Sequence, residues 1–189
     1  MGNRGILHDD QRQLRYYHRH KAWIICTLEN RDKNGELIRR TPMTPGSYTE
    51  LFFLDEATAL AAGHRPCARC NRQRYTEFVH FWRLANPTET GSLDDVLHRD
   101  RFAPYQRTWR PKKRTYTAPI DELPPGTFIM LNPDPSARPY LVLEESLLPW
   151  SFGGYGQPSA RRTGAEVIVL TPRSTVAALA AGYRPHIFR

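Results

Sequence analysis

The residues best placed to do chemistry are Cys67 and Cys70, in the run Cys67-Ala68-Arg69-Cys70. Two thiolates separated by two residues can hold one metal ion from a single turn, with backbone amides stabilising their charge. A tetrahedral site needs two more ligands. Cys26 is the remaining thiol. In the strand expected over Ala22–Asn30, period two puts His20, Ala22, Ile24, Cys26 and Leu28 on one face. Cys26 and His20 are therefore the candidates that complete the set, with His18 next and His186 further off. A cysteine in an apolar strand is often only a buried side chain, so both roles stay open for Cys26. A redox dithiol fits less well, because it would follow the first strand of a βαβ pattern that this sequence lacks. Three cysteines cannot form a complete set of disulfides. Met1–Lys21 is polar and basic, unlike a signal peptide, and no run nears the roughly 18 apolar residues of a spanning helix. The expectation is a reducing cytoplasm and no membrane, a setting in which a C-x-x-C pair binds metal.

The cysteine pair is positioned by the stretch Leu51–Tyr75. Leu51–Leu54 has strand character. Asp55 can cap a helix over Glu56–Ala62, which Gly63 ends in a left-handed conformation. His64-Arg65-Pro66 then turns the chain into the pair. Upstream, Asp9–Arg19 reads as a short helix, and Asp32-Lys33-Asn34-Gly35 as a hairpin turn whose returning strand is Glu36–Arg40. Downstream, Tyr75, Phe78, Val79 and Trp82 recur at helical spacing over Asn71–Leu84. Ser92 can cap another helix to Arg101. Strand candidates follow at Thr127–Leu131, Tyr140–Glu144, Leu147–Ser151 and Glu166–Leu170, separated by Pro- and Gly-rich turns, as in a small barrel or curled antiparallel sheet. The loop Trp150–Gly156 lacks phosphate-loop spacing. Leu-Ala-Ala-Gly-x-Arg-Pro occurs twice, at Leu60–Pro66 and Leu179–Pro185. The two readings are an ancient duplication and, favoured over it, convergence on one local solution for ending a helix; the repeat is too short to indicate a repeat protein. The fold class is α+β. The expected units are a metal-binding module over 1–90 with an N-terminal helix and a hairpin, a connecting segment over 91–118, and a β-rich domain over 119–189 that ends in a helix.

Charge points to a partner. Twenty-seven Lys and Arg against nineteen Asp and Glu leave a net charge of +8, which suits a polyanion such as nucleic acid. The segment Arg99–Tyr116 carries seven basic residues interleaved with Phe102, Tyr105, Trp109 and Tyr116. Basic side chains can neutralise phosphates while aromatics stack on exposed bases. A solvated linker would look the same. Candidate contacts are Arg65, Arg69 and Arg72 around the cysteine pair, and Arg107, Trp109, Arg110, Lys112, Lys113 and Arg114 in the segment.

The run FLDEATALAAGHRPCARC resembles the second half of the zinc-binding domain of Ada-type DNA alkylation-repair proteins. The matching residues are Phe52 or Phe53, Glu56, Ala57, Ala62, Gly63, Arg65, Pro66, Cys67 and Cys70, about twenty residues of chain in register. The resemblance implies a small α/β module that holds zinc and contacts DNA backbone, DNA before RNA. In that family a metal-bound cysteine accepts a methyl group from a DNA phosphotriester. The family's first cysteine pair has no counterpart here, where Glu36–Arg40 stands at the corresponding distance. Only Cys26 could supply another thiolate.

Two function classes follow, with a third beside them. One is a zinc-containing nucleic-acid-binding protein. Another is an enzyme on DNA, either a thiol methyl acceptor or a metal-assisted hydrolase. For hydrolysis Asp94, Asp95 and His98 form the compact acid–histidine group, which a capped surface helix also explains. The third is an interaction module with a purely structural zinc knuckle.

Overall fold

Asp55 starts the helix around which the other elements are placed. Its carboxylate accepts the backbone N–H of Thr58 at 2.8 Å, and Thr58 Oγ1 accepts the Asp55 N–H at 3.1 Å. This reciprocal capping box satisfies two donors that a helix start leaves open. The structure, a computed structural model, describes residues 1–29, 34–37, 41–102, 111–134 and 137–188.

Along the chain run β1 (Gly2–Asn3), β2 (Ile24–Ile25), α1 (Glu56–Ala61), β3 (Arg65–Pro66), α2 (Arg72–Ala85) and α3 (Leu93–Arg101). Then come β4 (Tyr116–Pro119), β5 (Phe128–Met130), β6 (Tyr140–Val142), β7 (Ser146–Ser151), β8 (Gly154–Tyr155), β9 (Ser159–Ala160), β10 (Glu166–Val169) and α4 (Arg173–Ala180). The protein is α+β. A small sheet has the order β1-β2-β3, with β2 and β3 parallel. A seven-stranded antiparallel sheet follows the path β4-β10-β5-β6-β7-β8, and β9 pairs with β7.

Period two explains how the large sheet uses both faces. Ile129, Val142, Leu147, Val167 and Val169 enclose one apolar core. Phe128 and Leu141, paired across β5 and β6, face the other way and meet Ala57 and Ala61. Those alanines lie four residues apart on α1, and their small size lets the helix sit close to the sheet. Leu60, on another side of α1, enters a helical core with Phe78, Trp82, Val96, Leu97, Leu179 and Tyr183. Burying each of these leucines contributes about 2 kcal/mol. Helix α4 packs on α2 and α3, so the C-terminal end of the chain returns to the helices beside the cysteines.

The N-terminal helix expected over Asp9–Arg19 is absent. Asp9 Oδ1 accepts the N–H groups of Gln11 and Gln13 at 3.0 and 2.9 Å, and Arg12 is left-handed at φ 60°. A short acidic side chain here stabilises a turn in competition with helix. The strand expected over Ala22–Asn30 contracts to Ile24–Ile25, and Leu51 contributes only a bridge to Gly2. Much of the hairpin expected around Asn34-Gly35 falls on residues outside the described ones.

Glu56, the first residue of α1, joins three segments. It accepts from Arg74 Nη2 at 2.6 Å, from the Tyr183 hydroxyl at 2.5 Å and from the His186 N–H at 2.9 Å. Both members of the Arg74–Glu56 pair are nearly buried. Glu56→Ala leaves the Tyr183 hydroxyl and the His186 N–H without this acceptor and Arg74 with Glu77 as its remaining carboxylate, and is expected to cost about 3 kcal/mol in urea denaturation. A loss below about 1 kcal/mol would make Glu56 an ordinary surface acid.

A second cluster predicts acid sensitivity. Trp23 lies under the guanidiniums of Arg4 at 3.8 Å and Arg101 at 4.4 Å, and its ring meets His18, His64 and Phe102. Burial, then Arg4 and Arg101, holds His64 well below its ordinary value. Burial, then His18 and Arg101, lowers His98 to about 4. An unfolded histidine titrates near about 6.5, so below that pH the unfolded chain binds protons that the folded chain refuses. Stability is complete above that value and falls as pH drops from about 6.5 toward 4. Denaturation midpoints across this window should fall, with a smaller slope in His98→Gln; a flat wild-type profile would contradict the cause given.

Candidate metal centre

The three cysteines are brought together by a turn and a strand register. Gly63, left-handed at φ 86°, ends α1 by donating to Leu60 O at 2.8 Å, and His64 N–H reaches Ala59 O at 2.9 Å. A Cβ on Gly63 would also meet the Arg101 side chain at 2.7 Å, so both conformation and space require glycine. This turn feeds Arg65-Pro66 into β3, parallel to β2, with Ile24 opposite Arg65 and Ile25 opposite Pro66. The next residue on each strand is a cysteine, Cys26 on one and Cys67 on the other. The Cys67 N–H donates to Ile25 O at 3.0 Å, and the Cys26 N–H to Met1 O at 2.7 Å.

After Cys67 the chain turns into α2. The Asn71 N–H donates to Cys67 O at 3.0 Å, and Asn71 Oδ1 accepts the Arg74 N–H at 3.1 Å as the helix cap. The thiols therefore sit at the N-terminal end of a 14-residue helix, where the partial positive charge favours thiolate. Backbone N–H groups of Cys70 and Arg69 point at Cys67. Burial raises the Cys67 thiol, but those amides and the neighbouring thiols outweigh it, and its pKa is lowered. Burial, then Cys67 and Cys70, drives Cys26 the other way, far above its ordinary value. Of this pair Cys67 therefore gives up its proton more readily than Cys26. A bound cation favours the thiolate form of its ligands.

The Sγ atoms of Cys26, Cys67 and Cys70 all lie within 4.8 Å of one another. Thiolates tetrahedrally arranged around a zinc-sized ion at 2.3 Å stand about 3.8 Å apart, so small side-chain movements close the set. The cluster can hold a metal ion. Among the described residues it offers three protein ligands. Cys67 is buried, Cys26 half-buried and Cys70 exposed, so the centre reaches the surface on the Cys70 side. A cavity of about 260 Å³ adjoins Cys26 and is also lined by Phe53, Asp55, Asn71, Arg74 and His186.

His20 is not among the clustered ligands; it is exposed, and its carbonyl accepts the Trp23 Nε1–H at 3.0 Å. His18 stacks on Phe102 and meets His98, also apart from the thiols. His186 reaches the adjoining cavity wall without joining the cluster. Arg65 forms a two-point pair with Asp94 at 2.8 and 2.7 Å and lies over Tyr75, which makes it a structural cation. Arg69, Arg72 and Lys112 are exposed. Lys113 donates to Ala61 O, and Arg114 Nε to Phe102 O at 2.9 Å. Arg107, Trp109 and Arg110 lie outside the described residues. Asp94 is paired with Arg65, Asp95 with Lys21 at 2.6 Å, and His98 packs on aromatic rings, so this acid–histidine group holds structure. Sequence reasoning found Cys26 by elimination but missed how it arrives. The signal was an apolar pair, Ile24-Ile25, directly before one cysteine and a short extended pair, Arg65-Pro66, directly before another.

Cys26→Ala should lower metal affinity by at least about tenfold in chelator competition, as should Cys67→Ala. Affinity should also fall in acid, because binding displaces thiol protons. Unchanged affinity in Cys26→Ala would reduce the centre to a two-point Cys67–Cys70 site.

The chain matches no family model, and neither the curated proteins nor the solved structures contain a significant match. What this centre does therefore rests on its geometry.

Proposed function

We propose that the protein is a zinc-containing nucleic-acid-binding protein whose cysteine knuckle contacts DNA backbone. The observation that carries this reading is one turn of chain. It presents a potential metal centre, the N-terminal end of α2 and two exposed arginines, Arg69 and Arg72, that flank the exposed Cys70 in the chain. Three thiolates form a soft donor set that suits zinc over magnesium, calcium or manganese. Zinc would fix the turn and offset the thiolate charge, leaving helix amides and guanidiniums to meet phosphates.

The local resemblance to Ada-type modules supports the choice of DNA, and the residues that carry it have physical roles. Glu56 ties α1 to α2 and the C-terminal segment, and Gly63 makes the turn. Cys26 supplies a third thiol where the family's first cysteine pair is missing. The net charge of +8 gives a long-range attraction for polyanions.

Affinity for a short DNA duplex should fall steeply with salt, each phosphate contact adding about one to the logarithmic slope. The double variant Arg69→Ala/Arg72→Ala should weaken binding and reduce that slope by up to about two. Salt-independent binding, or a slope untouched by the double variant, would remove the knuckle from the interface.

A further inference from the structure

Phe152 is 98 % exposed at the tip of the β7–β8 hairpin, the most exposed large apolar side chain among the described residues. Its ring stands edge-on to Trp150, with centroids 5.0 Å apart. Trp150 lines a cavity of about 220 Å³ between the large sheet and the C-terminal end of α1. Phe128, Pro139 and Leu170 form its sheet side, and Ala61 and Lys113 part of the opposite side. At about 30 Å³ per liquid water, the space is of the order of several waters, or one planar ring system.

Two polar groups make this apolar cavity selective. Trp150 Nε1–H is buried and has no hydrogen-bond partner. A buried indole N–H normally finds an acceptor, so an acceptor on the occupant would complete it. The Lys113 ammonium uses one donor on Ala61 O and has two left. Enclosure of the ammonium end, then Arg4 and Arg101, lowers its pKa to about 8. The residue as a whole is exposed, as are its chain neighbours Lys112 and Arg114. An aromatic-lined slot with an unused donor, beside an ammonium with two spare donors, fits a ring with acceptor atoms attached to an anion.

We infer that this cavity is a nucleotide site, with the base in the slot accepting from Trp150 Nε1–H and the phosphate against Lys113. The nucleotide is one unit of a single strand or a free mononucleotide. The exposed Phe152 ring favours the strand, since a neighbouring base can stack on it. In its strand form the inference rests on the nucleic-acid reading above and deepens it, adding a base-binding site remote from the knuckle turn.

The test uses the full metal-loaded chain and four probes: a short single-stranded oligonucleotide, an abasic strand of equal length, a duplex, and free nucleoside monophosphates. The base-bearing strand should bind about tenfold or more tighter than the abasic one, in line with stacking on a single base. Trp150→Phe, which removes only the N–H donor and one ring, and Phe152→Ala at the exposed tip should each weaken the base-bearing strand about tenfold. Both should leave the abasic strand unchanged, and Phe152→Ala, at an exposed tip, should keep the wild-type denaturation midpoint. Lys113→Gln should weaken both strands. Monophosphate binding that is lost in Trp150→Phe, without strand binding, would keep the site as a free-nucleotide site and remove the nucleic-acid reading. Equal affinity for base-bearing and abasic strands, unaffected by Trp150→Phe or Phe152→Ala, would overturn the site while leaving phosphate contact at the knuckle standing. Binding of none of the four probes would overturn both.

Discussion

The carboxylates of Asp55 and Glu56 at the start of α1 are the constraint on which the rest of the arrangement depends. Glu56 binds Arg74 of α2 together with Tyr183 and His186 of the C-terminal segment. Asp55, besides capping α1, accepts the Tyr155 hydroxyl at 2.7 Å and the Phe188 N–H at 3.1 Å. One dipeptide thus holds a second helix, the hairpin β7–β8 and the end of the chain. Two negative charges at a helix N-terminus are favoured by its dipole, and here they are largely enclosed and hydrogen-bonded, where each lost partner is costly. Burial, and then its bond to Asp55, raises the Tyr155 phenol far above its ordinary value; burial and Glu56 do the same to Tyr183. Both hydroxyls therefore stay protonated and remain donors.

The opposite end of α1 is stabilised by complementary charge. Its C-terminal carbonyls receive cations: Ala61 O accepts from Lys113 and Gly63 O from Arg101 Nε at 2.7 Å. A six-residue helix is too short to be stable alone. Acid at its start, base at its end and apolar contacts on two sides fix it as a rigid peg. The thiol centre depends on that rigidity, because β3 leaves α1 through a single glycine turn and its register with β2 decides where Cys67 meets Cys26.

The duplicated Leu-Ala-Ala-Gly-x-Arg-Pro shows how much of this was legible in the sequence. Both copies form the same helix ending. Gly182, at φ 125°, donates to Leu179 O at 3.1 Å and Tyr183 N–H reaches Ala178 O at 3.1 Å, as Gly63 and His64 do after α1. Local chemistry of this kind, together with the Asp55 and Ser92 caps and the stripe of α2, could be read from composition and spacing. The arginines of the two copies diverge. Arg184 bonds a carbonyl in the last turn of its helix, Leu179 O, at 3.0 Å, whereas Arg65 leaves its helix for Asp94. Nothing local distinguishes them, because the difference lies in which element packs alongside. The same holds for the parallel pairing of β2 with β3 and for the return of α4 to α2. Two-residue strands carry almost no periodicity, and a partner far along the chain leaves no mark on spacing.

The distribution of charge changes what a net +8 means. Arg4 and Arg101 lie over the faces of one indole, where dispersion and the ring quadrupole replace hydration. Arg65, Arg74, Lys113 and Arg114 hold carboxylates or carbonyls within the fold. A phosphate reaches such a cation through donors the fold leaves spare, as on Lys113, or by breaking a bond that stabilises the chain. Cations on exposed residues carry less of that cost; among the described residues they include Arg69 and Arg72 beside the thiols, Lys112 next in the chain to Lys113, and Arg83, Arg138 and Arg162 elsewhere. Part of the excess of base therefore works inside the molecule, closing helix ends and packing on aromatics. Exposed cations stand beside the thiol centre and next to the aromatic slot but also elsewhere among the described residues, so net charge alone does not pick out either place.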